Sequence, residues 1–150
     1  MRKHNGFTLV ELVVVVMILG ILAAVAAPKL LGTSSAAADN GVRQTLATVR
    51  DAIERYAAEH GGVLPGADEN SATFKLDLKP YLRGSFPTCP VAGENAEVKM
   101  AATATGFAGE AGTSQDESWH YCVEDGQFIV NSSELTKNEN DPPGLKYDQL

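Results

Sequence analysis

The polarity of the chain changes sharply near Pro28. From Phe7 to Ala27 run 21 residues whose one charged member is Glu11, and almost all other charges lie beyond Pro28. At 1.5 Å per residue a helix of that length covers about 31 Å, enough to cross the hydrocarbon core of a bilayer. After a small, polar stretch, Gly32–Gly41, apolar residues return with helical spacing. Val42, Leu46, Val49, Ile53 and Tyr56 recur every three or four positions, with Arg43, Gln44, Arg50, Asp51, Glu54 and Arg55 between them. The stripe lasts about two heptads, short for a coiled-coil seam and suited to packing under a small sheet. His60-Gly61-Gly62 ends it, glycine fitting a left-handed cap. The pattern predicts one helix from about Phe7 to about His60 with a defect near Pro28, which has no amide hydrogen for the carbonyl of Ala24. Between Gly20 and Gly32, both weak helix formers, a simple kink and a locally melted turn are both open.

Beyond the turn Val63-Leu64-Pro65-Gly66, Phe74, Leu78, Tyr81 and Leu82 fit a short helix, although Phe74, Leu76 and Leu78 also fit a strand. The helix is preferred, followed by a loop at Phe86-Pro87-Thr88-Cys89-Pro90. Strand signals come last: Glu97–Ala102, then Trp119–Val123 and Gln127–Asn131 around the hairpin turn Glu124-Asp125-Gly126. Trp119, Tyr121 and Val123 share one face, which directs His120 to the other and towards solvent. Asn138–Leu150, with Asn140-Asp141-Pro142-Pro143-Gly144, reads as a loose tail. The predicted class is α+β, a long N-terminal helix packed on a small antiparallel sheet.

A chain of 150 residues has room for about one domain, and the part beyond the apolar segment is too small to build a large core. Cys89 and Cys122 offer a staple: a disulfide between them closes a loop of about 34 residues, which the chain-entropy treatment credits with several kcal/mol. The formal net charge is −7, and −9 without Met1–Gly6, which argues against a nucleic-acid partner because binding phosphates needs a basic face. Cys89, His120 and Asp116 can be cast as nucleophile, base and orienting acid of a membrane-anchored enzyme. No motif surrounds Cys89, however, and Pro90 follows it. Two cysteines and three scattered histidines lack zinc spacing. Asn131-Ser132-Ser133 reads as a strand-end turn, and Gly106–Gly112 is too irregular for a phosphate loop.

The N-terminus admits three readings. A removed secretory signal would use Arg2 and Lys3, Leu12–Leu22 and the small-residue site Ala24-Val25-Ala26, releasing a soluble binding module. An uncleaved anchor would use the same basic residues to hold its N-terminus in the cytoplasm. Neither explains Glu11, a carboxylate at the start of an apolar run, nor the pair Gly6-Phe7. The stretch Gly6-Phe7-Thr8-Leu9-Val10-Glu11-Leu12, behind a basic leader and ahead of Pro28, resembles the type IV pilin and type II secretion pseudopilin signature.

That resemblance covers about the first third of the chain closely. It implies a leader at 1–6, cleavage after Gly6 by a prepilin peptidase and N-methylation of Phe7. It further implies a transmembrane and filament-core helix at 7–27, an amphipathic continuation at 28–62 and a soluble α+β head at 63–137 with its tail at 138–150. Glu11 would align a new subunit through the amine of a neighbour's Phe7, although a carboxylate there also suits the positive end of its own helix. Pro28 would mark the helix kink. The function implied is structural, in a filament of copies and related pilins built on an inner-membrane assembly platform. The helix would cross the inner membrane once, N-terminus cytoplasmic, head outside. The small head and hairpin lean towards a secretion-type pseudopilin over a pilin for adhesion, motility or DNA uptake. The resemblance requires no cofactor, although the major pseudopilins often bind calcium in a C-terminal acidic loop, for which Asp116-Glu117 and Glu139–Asp141 offer oxygens. The family's aspartate-proline-tryptophan-glycine stretch is replaced by Cys89-Pro90.

Overall fold

The computed structural model describes residues 8–110, 116–138 and 141–150, with the backbone alone at 27–34. One helix, α1 (Leu9–Glu59), takes 51 residues and extends about 76 Å. Its backbone stays helical through Pro28, so the melted turn is not formed. A proline removes one bond from the ladder, and the turns on either side remain closed. At the far end His60 donates to the carbonyls of Tyr56 and Ala57, and Gly61 and Gly62 take positive φ as the chain turns away.

The predicted stripe is the buried one. Val42, Leu46, Val49 and Ile53 are buried, joined by Ala52, while Tyr56 packs at the margin. A second helix, α2 (Ser71–Leu78), is capped by the Asn70 side chain, which accepts from the amide of Ala72 at 2.8 Å. It turns Phe74 and Leu78 into the core and leaves Leu76 outside.

Three strands follow: β1 (Val98–Ala101), β2 (Trp119–Cys122) and β3 (Phe128–Val130), in that spatial order. β2 and β3 form the expected antiparallel hairpin, Trp119 opposite Val130 and Tyr121 opposite Phe128. β1, however, runs parallel to β2, Val98 opposite Trp119 and Ala101 opposite Cys122. The sheet is therefore mixed, which corrects the antiparallel expectation. The connection over 102–118 exceeds the dozen or so residues a parallel crossover needs, so no tight turn forces β1 and β2 into opposite directions.

Trp119, Tyr121 and Phe128 face α1 and α2, with the Phe74 ring 4.2 Å from that of Tyr121 and Trp119 5.2 Å from Phe128. The Trp119 indole donates to the carbonyl of Pro87 at 3.0 Å, which fixes the proline-rich loop to the sheet. The opposite face is covered by the crossover. His120, expected in solvent, is only 6% exposed. Its ring lies 4.3 Å from that of Phe107 and its Nδ1 is 3.0 Å from the carbonyl of Ala108.

Candidate functional site

The N-terminal stretch Leu9–Ala26 is long and apolar enough to cross a membrane, and none of it is buried within the chain. Its large side chains, from Leu9 to Val25, are 47–81% exposed. A contiguous apolar surface of this size marks a site that another phase or partner covers. Apart from the Ala24 carbonyl, which lacks the Pro28 amide, the backbone of this stretch bonds within its own helix, as a segment in hydrocarbon requires.

At its N-terminus Glu11 closes a reciprocal capping box. Glu11 Oε2 accepts from the Thr8 amide and the Thr8 hydroxyl, each at 3.0 Å, and the Glu11 amide donates to Thr8 Oγ1 at 3.3 Å. The carboxylate thus sits on the helix's positive end, the local role open to it from sequence. Gly6 and Phe7, the proposed processing and methylation positions, lie outside the described residues, so the Glu11–Phe7 pairing is not described either.

The other half of α1 carries the head, and its grip is polar as well as apolar. Asp39 is fully buried and accepts from the Tyr147 hydroxyl at 2.6 Å and the Lys137 amide at 2.8 Å. Arg43 pairs with Asp141 at 2.6 Å. Arg50 donates through Nε and a terminal nitrogen to the carbonyl of Phe128, at 3.0 and 2.9 Å, and to the backbone oxygen of Leu150 at 3.0 Å. Phe128 O belongs to the outer edge of β3, so the guanidinium occupies an edge where a further strand would otherwise bind. Burial lowers the Arg50 pKa from its ordinary value. Burial, then the bond to Asp39, raises that of Tyr147.

These bonds correct the expectation of a loose tail. Residues 141–150 are pinned to α1, Leu135 bridges Lys146, and the Asp148 amide donates to Ser132 O at 3.1 Å. Asp39, Arg43 and Arg50 were absent from the sequence-based site. Asp39 lies three residues before Val42, in phase with the apolar stripe, and that phase was the available signal.

Of the other candidates, Cys89 and Cys122 are buried, free thiols. The expected disulfide is not formed, and strand parity supplies the reason. Cys89 belongs to the core on the Trp119–Tyr121 face, whereas Cys122 shares the opposite parity with His120. The sheet thus separates Cys89 from His120 as well, and no nucleophile–base pair arises from them. Asp116 offers its carbonyl to the Asn95 amide group at 3.0 Å. No three His, Cys, Asp or Glu side chains gather to hold a metal among the described residues. Asp141, one proposed calcium ligand, is engaged by Arg43; Glu139 and Asn140 lie outside the described residues.

Residues 1–27 match the family described as the prokaryotic N-terminal methylation motif. The chain is 39% identical over 69 residues to type II secretion system core protein G of Vibrio cholerae, across 46% of this chain and 47% of that protein. It is 43% identical over 63 residues to prepilin peptidase-dependent protein D of Escherichia coli K12, across 42% and 43%. With the type IV major alpha-pilin of Moraxella bovis it shares 37% identity over 78 residues, across 52% and 48%. The chain thus spans about half the length of the curated relatives it matches. No solved structure matches. The resemblance to pilins and type II secretion pseudopilins read from Gly6–Leu12 is the one these comparisons bear out.

Proposed function

We propose that this chain is a structural subunit of a type IV pilus-like filament, of the type II secretion kind, made as a precursor cut after Gly6 and methylated at Phe7. One observation carries the reading. A single helix joins a wholly exposed apolar stretch, headed by a prepilin methylation motif, to a half clamped inside a folded head. An exposed stretch of this kind needs lipid before assembly and the helices of other subunits after it. The helix crosses the inner membrane once, N-terminus in the cytoplasm and head outside. Prepilin peptidase removes the leader, an inner-membrane platform drives assembly, and copies of this chain with related pilins form the filament. Glu11 leaves its capping box for the new amine of a neighbouring Phe7, an exchange of one charged hydrogen-bonded arrangement for another within a dry helix bundle.

Mass spectrometry of the membrane-extracted mature chain tests the reading. The expected N-terminus is methylated Phe7. A terminus at Ala27, or an intact Met1 in assembled material, overturns it.

A further inference from the structure

The two flanks of the head differ in charge. On one side of α1, Gly41, Thr45 and Thr48 border a groove whose far wall is the loop Tyr81–Pro87. Leu82 and Ser85 of that wall also line a neighbouring groove of about 240 Å³ with Lys79, Leu76 and Phe86. Leu76 is 65% exposed. Lys79 and Arg83 are exposed and form no ion pair among the described residues. In a chain of net charge −7 this is an apolar patch rimmed by unpaired positive charge.

On the other side, Arg50, Glu54 and Ala57 border a cleft of about 500 Å³ completed by Asp125, Gln127 and Gln149. The Arg50 guanidinium is engaged by backbone oxygens, and Glu54 and Asp125 are exposed, so the rim is acidic. Ile53 and Leu64 supply an apolar floor. At about 100° per residue, Gly41, Thr45 and Thr48 stand roughly 180° around the helix from Arg50, Glu54 and Ala57. The buried stripe lies between them.

Unlike patches on opposite flanks are what a heterologous contact needs. Each copy offers its neighbour a different surface from the one it receives, and repetition yields an open helical array. We propose that the Lys79–Arg83 patch, with Leu76, Leu82 and Phe86, docks on the Glu54–Asp125 cleft of a second copy of this chain. The inference rests on the filament reading and names the head-to-head contact within it. Lipid is a poorer occupant. Tyr81 packs edge-on against Tyr56, about 45 Å along the helix from Ala26, where the apolar span ends. The acidic flank supplies the complementary charge, and the contact is salt-sensitive because both rims face water.

The test uses the full-length chain in cells that assemble it, with filament yield read by electron microscopy and a photo-crosslinking residue at Leu76. The double reversal K79E/R83E and the double reversal E54K/D125K are each expected to cut yield at least tenfold, K79E/R83E with membrane levels and melting temperature unchanged and E54K/D125K with a lower melting temperature, because the Asp125 carboxylate also accepts from Gln127 in the hairpin turn. Combining all four substitutions is expected to restore most of it, and Leu76 is expected to cross-link to a second copy. Normal filaments from either reversed variant overturn the docking proposal and leave the filament reading standing. A Leu76 adduct with lipid or with an unrelated protein also overturns it. If the unsubstituted chain forms no filaments, both readings fall together.

Discussion

Tyr147 and Tyr121 are both buried, at 1% and 0% exposure, and loss of the hydroxyl from each has a different expected consequence. The Tyr147 hydroxyl donates at 2.6 Å to Asp39, itself fully buried, with one further bond to the carboxylate from the Lys137 amide. Tyr147→Phe removes a bond to a charged acceptor and leaves Asp39 Oδ1 without that donor. Such bonds contribute roughly 1.5–3 kcal/mol, and a buried oxygen that loses its donor keeps its desolvation cost. The Tyr121 hydroxyl is buried with no hydrogen-bond partner among the described residues. Tyr121→Phe removes an unsatisfied group from the core, so its expected effect runs from neutral to about 1 kcal/mol of stabilisation. At about 4–8 °C per kcal/mol for a small domain, Tyr147→Phe lowers Tm by roughly 6–24 °C and Tyr121→Phe does not lower it. The lone tryptophan, Trp119, is buried in the core and reports unfolding by its fluorescence in the detergent-solubilised chain. Equal shifts in the two variants, or a larger loss at Tyr121, refute the reasoning. Burial of the Tyr147 hydroxyl, and then the same bond, sets an alkaline limit. Folding raises the Tyr147 pKa above its ordinary 10.0, so its contribution is intact below pH 10 and declines as pH rises beyond it.

Four further outcomes are expected. His120 is held neutral by burial, its pKa lowered from 6.5 against the opposing bond to Ala108 and amid the charges of Lys99, Glu110 and Glu117. Its contribution is present above pH 6.5 and declines as pH falls, so Tm drops on acidification and His120→Asn flattens that slope. Both thiols react slowly with a thiol reagent in the folded head and fully in denaturant; a non-reducing gel showing an intramolecular cross-link contradicts the parity argument. A Cβ on Gly109 would stand 2.5 Å from the backbone of Ser132, whereas one on Gly41 meets nothing within 4 Å. Gly109→Ala is therefore expected to cost about 1–3 kcal/mol and Gly41→Ala to stabilise by roughly 0.5–1 kcal/mol, both read in thermal melts. Glu11→Gln subunits are expected to join filaments at least tenfold more slowly at normal membrane levels, and an unchanged rate rejects the Glu11–Phe7 pairing.

The long helix, its apolar N-terminal half and the buried stripe Val42–Ile53 were legible in the sequence because each is a local property of spacing and composition. The α2 helix and the β2–β3 hairpin were legible for the same reason. Strand direction was not: side chains alternate in the same way in parallel and antiparallel strands, so nothing in Val98–Ala101 records which way β2 runs beside it. His120 obeyed its predicted parity, yet the face it points to is covered by Phe107 and Ala108, from a crossover whose path local pattern does not encode.

What the sequence by itself determined about this protein is its polarity along one axis: a short basic start, a methylation motif, an apolar helix, then a head. Those properties are written residue by residue, in charge, hydropathy and spacing. Only the tertiary structure decided how the head is held. Asp39 meets Tyr147 across 108 residues and Arg50 meets Phe128 across 78, and the two cysteines fall on opposite faces of one sheet. Such partners are selected by the closure of the whole chain around α1, where a buried carboxylate or guanidinium must find its complement at whatever sequence distance the packing places it.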